Sequence, residues 1–158
     1  MKPLVVILMG SKADLEHSKK ISEACRSFGL ETVLRIASAH KTPEHALSVL
    51  KKYESNERPK VYITVAGRSN ALSGFTDGSV SAPVIACPPP SESFGGADIL
   101  SSLRMPSGVG VAVVLEPVNA ALLAAKIFGV TNIDVREQVK ASQRWAAEKI
   151  IEDDASVQ

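Results

Sequence analysis

Leu4-Val5-Val6-Ile7-Leu8-Met9 runs into Gly10-Ser11 without a polar position before the turn. A strand with one wet face alternates apolar and polar residues. A run that is apolar throughout, β-branched at Val5, Val6 and Ile7 and too short for a helix, reads as a strand buried on both faces. The chain then changes period. From about Asp14 to Phe28 it is polar and helix-forming, with Ile21, Ala24, Cys25 and Phe28 spaced as one helical stripe and Gly29 in the position that ends helices. A second strand is expected from Thr32 to Ile36. Thr42 is placed to cap a following helix with Pro43 at its first position, and Ala46, Val49, Leu50 and Tyr53 form its apolar stripe. Three further strands are expected over Val61–Val65, Pro83–Cys87 and Val109–Leu115, each separated from the next by enough chain to cross over.

Apolar strands alternating with helices specify a parallel sheet covered on both faces, joined by right-handed crossovers. The expected architecture is therefore a three-layer α/β/α sandwich with a flavodoxin-like sheet and an extra C-terminal helix. In such sheets ligands bind beyond the carboxyl ends of the strands, where strand order reverses. Those ends carry Gly10-Ser11, Ser38-Ala39-His40-Lys41, Ala66-Gly67-Arg68-Ser69-Asn70 and Cys87-Pro88-Pro89-Pro90.

The size and composition narrow the class. A chain of 158 residues is one domain, able to bury a core without disulfides or a structural metal. Residues 1–130 read as the flavodoxin-like domain and 131–158 as a helical extension, either part of it or packing on a neighbouring subunit. Hydrophobic residues make up 45% but aromatics only 4%, which argues against stacking single-stranded nucleic acid. A net charge of +1 gives no electrostatic footprint for nucleic acid in general. Cys25 and Cys87 are too few for a disulfide framework and sit in no metal-ligand spacing, so free thiols in a reducing cytosol are expected. No apolar stretch approaches the length of a transmembrane helix, and no signal peptide opens the chain. The expectation is a soluble, cytoplasmic protein with no nucleic-acid or membrane partner.

The helix expected from Val118 to Phe128 is apolar nearly all round: Val118/Ala121/Leu122/Ala125 and Ala120/Leu123/Ala124/Ile127 both fall at helical spacing. A small monomer needs only one stripe, so burial by another subunit is expected. The last helix, about Asp134 to Glu152, carries Val135, Val139, Ala146 and Ile150 on one face with Trp145 beside it. It either folds back on its own sheet or packs on a neighbour.

The strand ends hold the chemistry. Gly10-Ser11-Lys12-Ala13-Asp14 opens the first helix, where free N–H groups and a hydroxyl suit a phosphate. It has neither the P-loop nor the dinucleotide glycine pattern. Asp14 is either an N-cap or a carboxylate for ribose hydroxyls. Of the histidines, His17 lies among charged helix residues and reads as solvated, and His45 reads as surface in a first helical turn. His40 sits between a strand end and a helix start, where an imidazole can move a proton near neutral pH; an ordinary loop histidine is the alternative. Lys41 beside it suits a substrate anion. Gly67 permits close backbone approach, and the N–H groups from Gly67 to Asn70 suit a carboxylate or carbon dioxide. Arg68 either pairs with an anion or clamps two segments. Ser101–Gly108 has the composition of a covering loop or of a plain helix-to-strand connection. There is no Ser-His-Asp elbow, no H-E-x-x-H and no carboxylate cluster for Mg²⁺, so no metal is expected.

Met9-Gly10-Ser11-x-x-Asp14, Ser38-Ala39-His40-Lys41-Thr42-Pro43, Met105-Pro106-x-Gly108 and Asn119-Ala120-Ala121-Leu122-Leu123-Ala124-Ala125, in this order over residues 4 to about 130, resemble the PurE-type family of aminoimidazole ribonucleotide carboxylases and mutases. The mutase branch usually carries Ala-Gly-Gly-Ala-Ala-His-Leu-Pro-Gly after the third strand and Arg after Ser-Ala-His. Here the loop is Ala66-Gly67-Arg68-Ser69-Asn70-Ala71-Leu72-Ser73-Gly74, Ala71 stands at the second histidine, and Lys41 replaces the Arg. The chain looks like the branch that uses carbon dioxide directly, familiar from the carboxylase domain of the bifunctional animal enzyme, and is too short to include the fused synthetase.

The resemblance implies reversible carboxylation of 5-aminoimidazole ribonucleotide (AIR) to its 4-carboxy derivative (CAIR) in purine biosynthesis, with no cofactor, ATP or metal. His40 would move the proton on the ring carbon. Ser11, Ser38 and Lys41 would hold the phosphate, Asp14 the ribose, and Gly67 and Ser69 the carboxylate or carbon dioxide. Gly10, Arg68, Asn70 and Met105 are further possible contacts. A homo-oligomer, tetramer or octamer, with its sites near subunit boundaries, is implied as well. The alternatives are the N5-carboxyaminoimidazole ribonucleotide mutase and a non-catalytic flavodoxin-like module binding nucleotide or flavin.

Overall fold

A computed structural model describes residues 1–158. Five parallel strands, β1 (Leu4–Met9), β2 (Glu31–Ile36), β3 (Lys60–Val65), β4 (Val84–Ala86) and β5 (Ala112–Val113), lie in the order β2-β1-β3-β4-β5. This is the flavodoxin-like order, with its reversal between β1 and β3. The helices are α1 (Leu15–Ser27), α2 (Pro43–Glu54), α3 (Ala71–Asp77), α4 (Leu100–Leu103), α5 (Pro117–Gly129) and α6 (Ile133–Ser156).

All six residues of β1 are buried, and the strand's two faces feed two cores. Val5, Ile7 and Met9 pack with β3, β4, α1 and α5. Leu4, Val6 and Leu8 face the other way, onto Ala46, Val49 and Leu50 of α2 and Leu72 of α3. The period-2 geometry of a strand makes this division automatic once both faces are covered. Burial on both faces holds for the central strands β1 and β4 and, beyond Lys60, for β3, which buries Thr64 among its apolar residues. It does not hold at the edge, where Ile36 of β2 is 45% exposed.

The expected fifth strand is cut from Val109–Leu115 to Ala112–Val113. Gly108 has a left-handed φ of +89°, and the N–H of Gly110 is taken by the Asp77 carboxylate, so the chain enters the sheet late. Part of the stretch read as a loop after β3 is helical, because Asn70 caps α3 by accepting from the Ser73 N–H. Thr42 does occupy the N-cap of α2, but its hydroxyl turns back to Ser38 instead of capping the helix.

The expectation that α5 must be reburied by another subunit is corrected in part. Ala120, Ala121, Ala124, Ala125 and Phe128 are buried within this chain, against α1 and the start of α6. Small side chains let the helices approach closely enough for that. Val118 remains 61% exposed. Asn132 caps α6, whose Val135 and Val139 join the core; from residue 140 onward every residue of the helix is exposed. The last helix therefore folds back only through its first two turns.

Candidate active site

A cleft of about 830 Å³ opens where the carboxyl ends of β1 and β3 diverge. Four loops form it, one after each of β1 to β4. It gathers Ser11, Asp14, Ser38, His40, Lys41, Gly67 and Ser69, together with Gly10 and Arg68. Two expected contacts lie elsewhere. Asn70 is 4% exposed, and its backbone N–H is spent on the Ser101 hydroxyl, so the run of free N–H groups ends at Ser69. Met105 packs over α3, with its sulfur 3.2 Å from where a side chain on Gly74 would begin.

The first loop is a capping box. The Ser11 N–H and hydroxyl both donate to Asp14 Oδ2, at 3.1 and 3.2 Å, and Asp14 N–H returns to the Ser11 carbonyl at 3.2 Å. Asp14 also holds the N-cap position of α1 without a capping bond there, so its carboxylate serves the loop rather than the helix. The N–H groups of Lys12 and Ala13 have no acceptor in the chain and open onto solvent at the helix start.

The second loop is closed by side chains. Thr42 Oγ1 accepts from the Ser38 N–H at 3.0 Å and donates to the Ser38 carbonyl at 3.2 Å. Ser38 Oγ accepts from the Lys41 N–H at 3.1 Å, which leaves its own proton for a ligand. The loop is thus fixed while the His40 ring and the Lys41 ammonium, both exposed, bond to nothing in the protein. Gly10 lies against Ala66, so the first and third loops meet at the cleft floor.

The fourth wall, Pro89, Pro90, Ser91, Ser93 and Asp98, was only partly legible. The prolines fall at a strand end, but no spacing marks Ser91, Ser93 or Asp98. Asp98 Oδ2 is buried without a hydrogen-bond partner.

His17 is not solvated as expected. Its Nε2 lies 3.4 Å from Cys87 Sγ beneath the proline wall. Burial holds its pKa below the ordinary 6.5, with Lys20 acting in the same direction. Burial, with a smaller push from Glu116, raises the Cys87 thiol to about 12. Both groups are therefore neutral near pH 7, and the pair is a packing contact and not a thiolate nucleophile. No three His, Cys, Asp or Glu side chains come together as a metal site. No helix is long and apolar enough to cross a membrane.

Residues 4–149 match the family described as AIR carboxylase. The phosphoribosylaminoimidazole carboxylase of Treponema denticola is 59% identical over 157 residues, covering 99% of both chains. The human bifunctional phosphoribosylaminoimidazole carboxylase/phosphoribosylaminoimidazole succinocarboxamide synthetase is 46% identical over 138 residues, 87% of this chain and 32% of that one. The crystal structure of Treponema denticola PurE superposes with a TM-score of 0.98 at 58% identity, covering 99% of each chain. The chain belongs to the AIR carboxylase family. The expectation drawn from the motifs, an enzyme carboxylating AIR in purine biosynthesis, holds at the level of that family, and the match extends beyond residue 130 into most of α6.

Proposed function

We propose that this chain carboxylates AIR with carbon dioxide directly, without an N-carboxylated donor. The observation that carries this reading is that His40 is the only histidine lining the cleft. Ala71, where the mutase pattern has its second histidine, sits half-buried in the first turn of α3 outside the cleft. One imidazole suffices for direct carboxylation. The enamine-like ring carbon of AIR attacks the carbon of carbon dioxide, a C–C bond forms, and one C=O electron pair moves onto oxygen. The ring carbon is then tetrahedral and still carries its proton. His40 removes that proton, aromaticity returns, and CAIR is the product; in reverse His40 delivers it.

The loops supply the positioning. Ser38 Oγ has a free proton for phosphate, Lys41 adds charge, and Ser11 joins them when its hydroxyl leaves Asp14. Ribose hydroxyls take the place of Ser11 on Asp14. The unpaired N–H groups of Gly67, Arg68 and Ser69 receive the oxygens of carbon dioxide and stabilise the carboxylate as it forms. Carbon dioxide is small and binds weakly, so holding it against the ring carbon is where an enzyme gains most; such positioning is worth up to about 7–11 kcal/mol.

No Phe, Tyr or Trp lines the cleft, which leaves a flavin without the broad stacking surface it needs. The exposed outer half of α6 and Val118 support a homo-oligomer, tetramer or octamer, and the two free buried thiols support work in the cytoplasm.

The test is to supply each substrate separately without ATP. AIR with bicarbonate should give CAIR at the full rate. Turnover confined to the N-carboxylated compound assigns the chain to the mutase branch and overturns the proposal.

A further inference from the structure

We infer that Ser101 and Asn70 are positioning residues that hold the Gly67–Ser69 backbone in the shape that receives carbon dioxide. The inference rests on the reading of that backbone as the carboxylate site.

Arg68 is a non-glycine residue with a left-handed φ of 60°. Such a conformation persists only where surrounding structure fixes it. Its own side chain does not, since the guanidinium is exposed and bonds to nothing in the chain. The fixing comes from Ser101 of α4. Ser101 Oγ shares its proton between the carbonyls of Arg68, at 3.0 Å, and Asp98, at 2.8 Å. The same oxygen accepts from the Asn70 N–H at 3.0 Å. One hydroxyl thus brackets Arg68–Asn70 from both sides and ties this loop to the wall that carries Asp98.

Asn70 anchors the bracket from below. Its Nδ2 donates to Ser102 Oγ at 2.9 Å, and its Oδ1 accepts from the Ser73 N–H at 3.2 Å and the Ser73 hydroxyl at 2.9 Å. With the Ser73 proton committed, Thr64 Oγ1 donates to Ser73 Oγ at 2.7 Å. Ser102, Asn70, Ser73 and Thr64 are all between 0% and 4% exposed. A buried polar chain in which each member is paired admits one arrangement, because any other leaves a group unsatisfied. This chain runs from the middle of the sheet to the loop. A left-handed residue within a run of unpaired N–H groups makes the backbone concave toward an anion. No motif reading of Ser101 or Ser102 anticipates this role.

A brace that served stability alone would affect both substrates or neither. The test therefore measures KM for carbon dioxide at saturating AIR, with carbonic anhydrase and varied bicarbonate, and KM for AIR at saturating bicarbonate. Ser101 is exposed, so Ser101→Ala should fold. Losing the bracket should raise the KM for carbon dioxide about tenfold, the equivalent of one hydrogen bond, with the KM for AIR held within about twofold. Ser101→Thr keeps the hydroxyl and should restore most of the difference. Asn70→Ala should shift the same ratio and also lower Tm, and thermal melts show whether it folded. Equal change in both KM values, no change, or failure of the threonine to rescue overturns the inference. Gly67→Val, whose side chain fills the space over the loop, separates the two levels. If it raises the KM for carbon dioxide while Ser101→Ala does not, the carboxylate reading stands and the positioning role falls. If it leaves that KM unchanged, the carboxylate reading itself falls.

Discussion

β1 and the outer half of α6 are both apolar signals in the sequence, and the folded chain treats them in opposite ways. β1 loses all six side chains to two cores built from its own chain. Along α6, Trp145 stays 65% exposed and Ile150 and Ile151 68% each. The helix has 24 residues, about 36 Å at 1.5 Å per residue, and only its first turns touch the body of the protein. Large apolar side chains left in water along one helix mark an unfinished surface. The cleft lies at the other extreme, since its expected residues come from loops at the ends of the buried sheet. Each experiment below disturbs one of the two and asks whether the other notices.

The largest effect belongs to the cleft. His40→Asn removes the group assigned the proton and should lower kcat by about 10²–10⁴-fold, the usual worth of a general base. AIR affinity by calorimetry should stay within about twofold, and the size of the particle in solution should not change. Substantial residual turnover would falsify the assignment of His40.

The converse experiment is Trp145→Glu with Ile150→Glu on α6. Charges on a surface that a second copy covers should weaken association by at least about tenfold, since burying an unpaired charge is costly. Light scattering should then report a smaller particle, and far-UV circular dichroism an intact fold. An unchanged assembly removes α6 from the proposed interface.

Lys41→Ala returns to the cleft with a smaller change. Lys41 is exposed and its ammonium makes no ion pair in the chain, so its removal costs no structure. The KM for AIR should rise about tenfold, the loss of one charge-assisted contact. Binding of the nucleoside without phosphate should be unaffected. Equal weakening of nucleotide and nucleoside would place Lys41 away from the phosphate.

These regions also show what a sequence can carry. The covered parallel sheet followed from β1 and from the alternation of such apolar runs with helices, because a run apolar on both faces needs a layer on each side. The positions of Ser11, Asp14, Ser38, His40 and Lys41 followed from strand ends, since the fold brings those ends together whatever the loops contain. The fate of α5 did not follow. Alanine at four buried positions allows α1 and α6 to close over it, and periodicity does not tell a neighbouring helix from a neighbouring subunit. Ser101 and Ser102 were invisible as partners of Arg68 and Asn70 for another reason. Their contacts span 31 to 33 residues and depend on tertiary approach, with no local pattern to announce them. His17 failed similarly, since the charges flanking it gave no sign that Cys87 would lie against its ring.

His17 offers the smallest and most local test. Its ring is half-buried against Cys87, with Lys20, Asp14 and Glu116 around it, and desolvation is the largest cause of its lowered pKa. The unfolded chain binds a proton at about the ordinary 6.5, the folded chain only at lower pH. Between those two values the unfolded state holds more protons, so stability is complete above the ordinary value and is lost as pH falls below it. His17→Gln keeps a polar group near Cys87 without the titration. Melting curves at about pH 7.5 and 5.5 should therefore show a slightly larger acid loss for the parent than for the variant, about 1–2 °C, kept small by the half-exposed ring. The acidic and basic groups common to both proteins cancel in the comparison. An acid loss as large in the variant as in the parent would mean that the ring is hydrated in solution and that Cys87 does not hold it out of water.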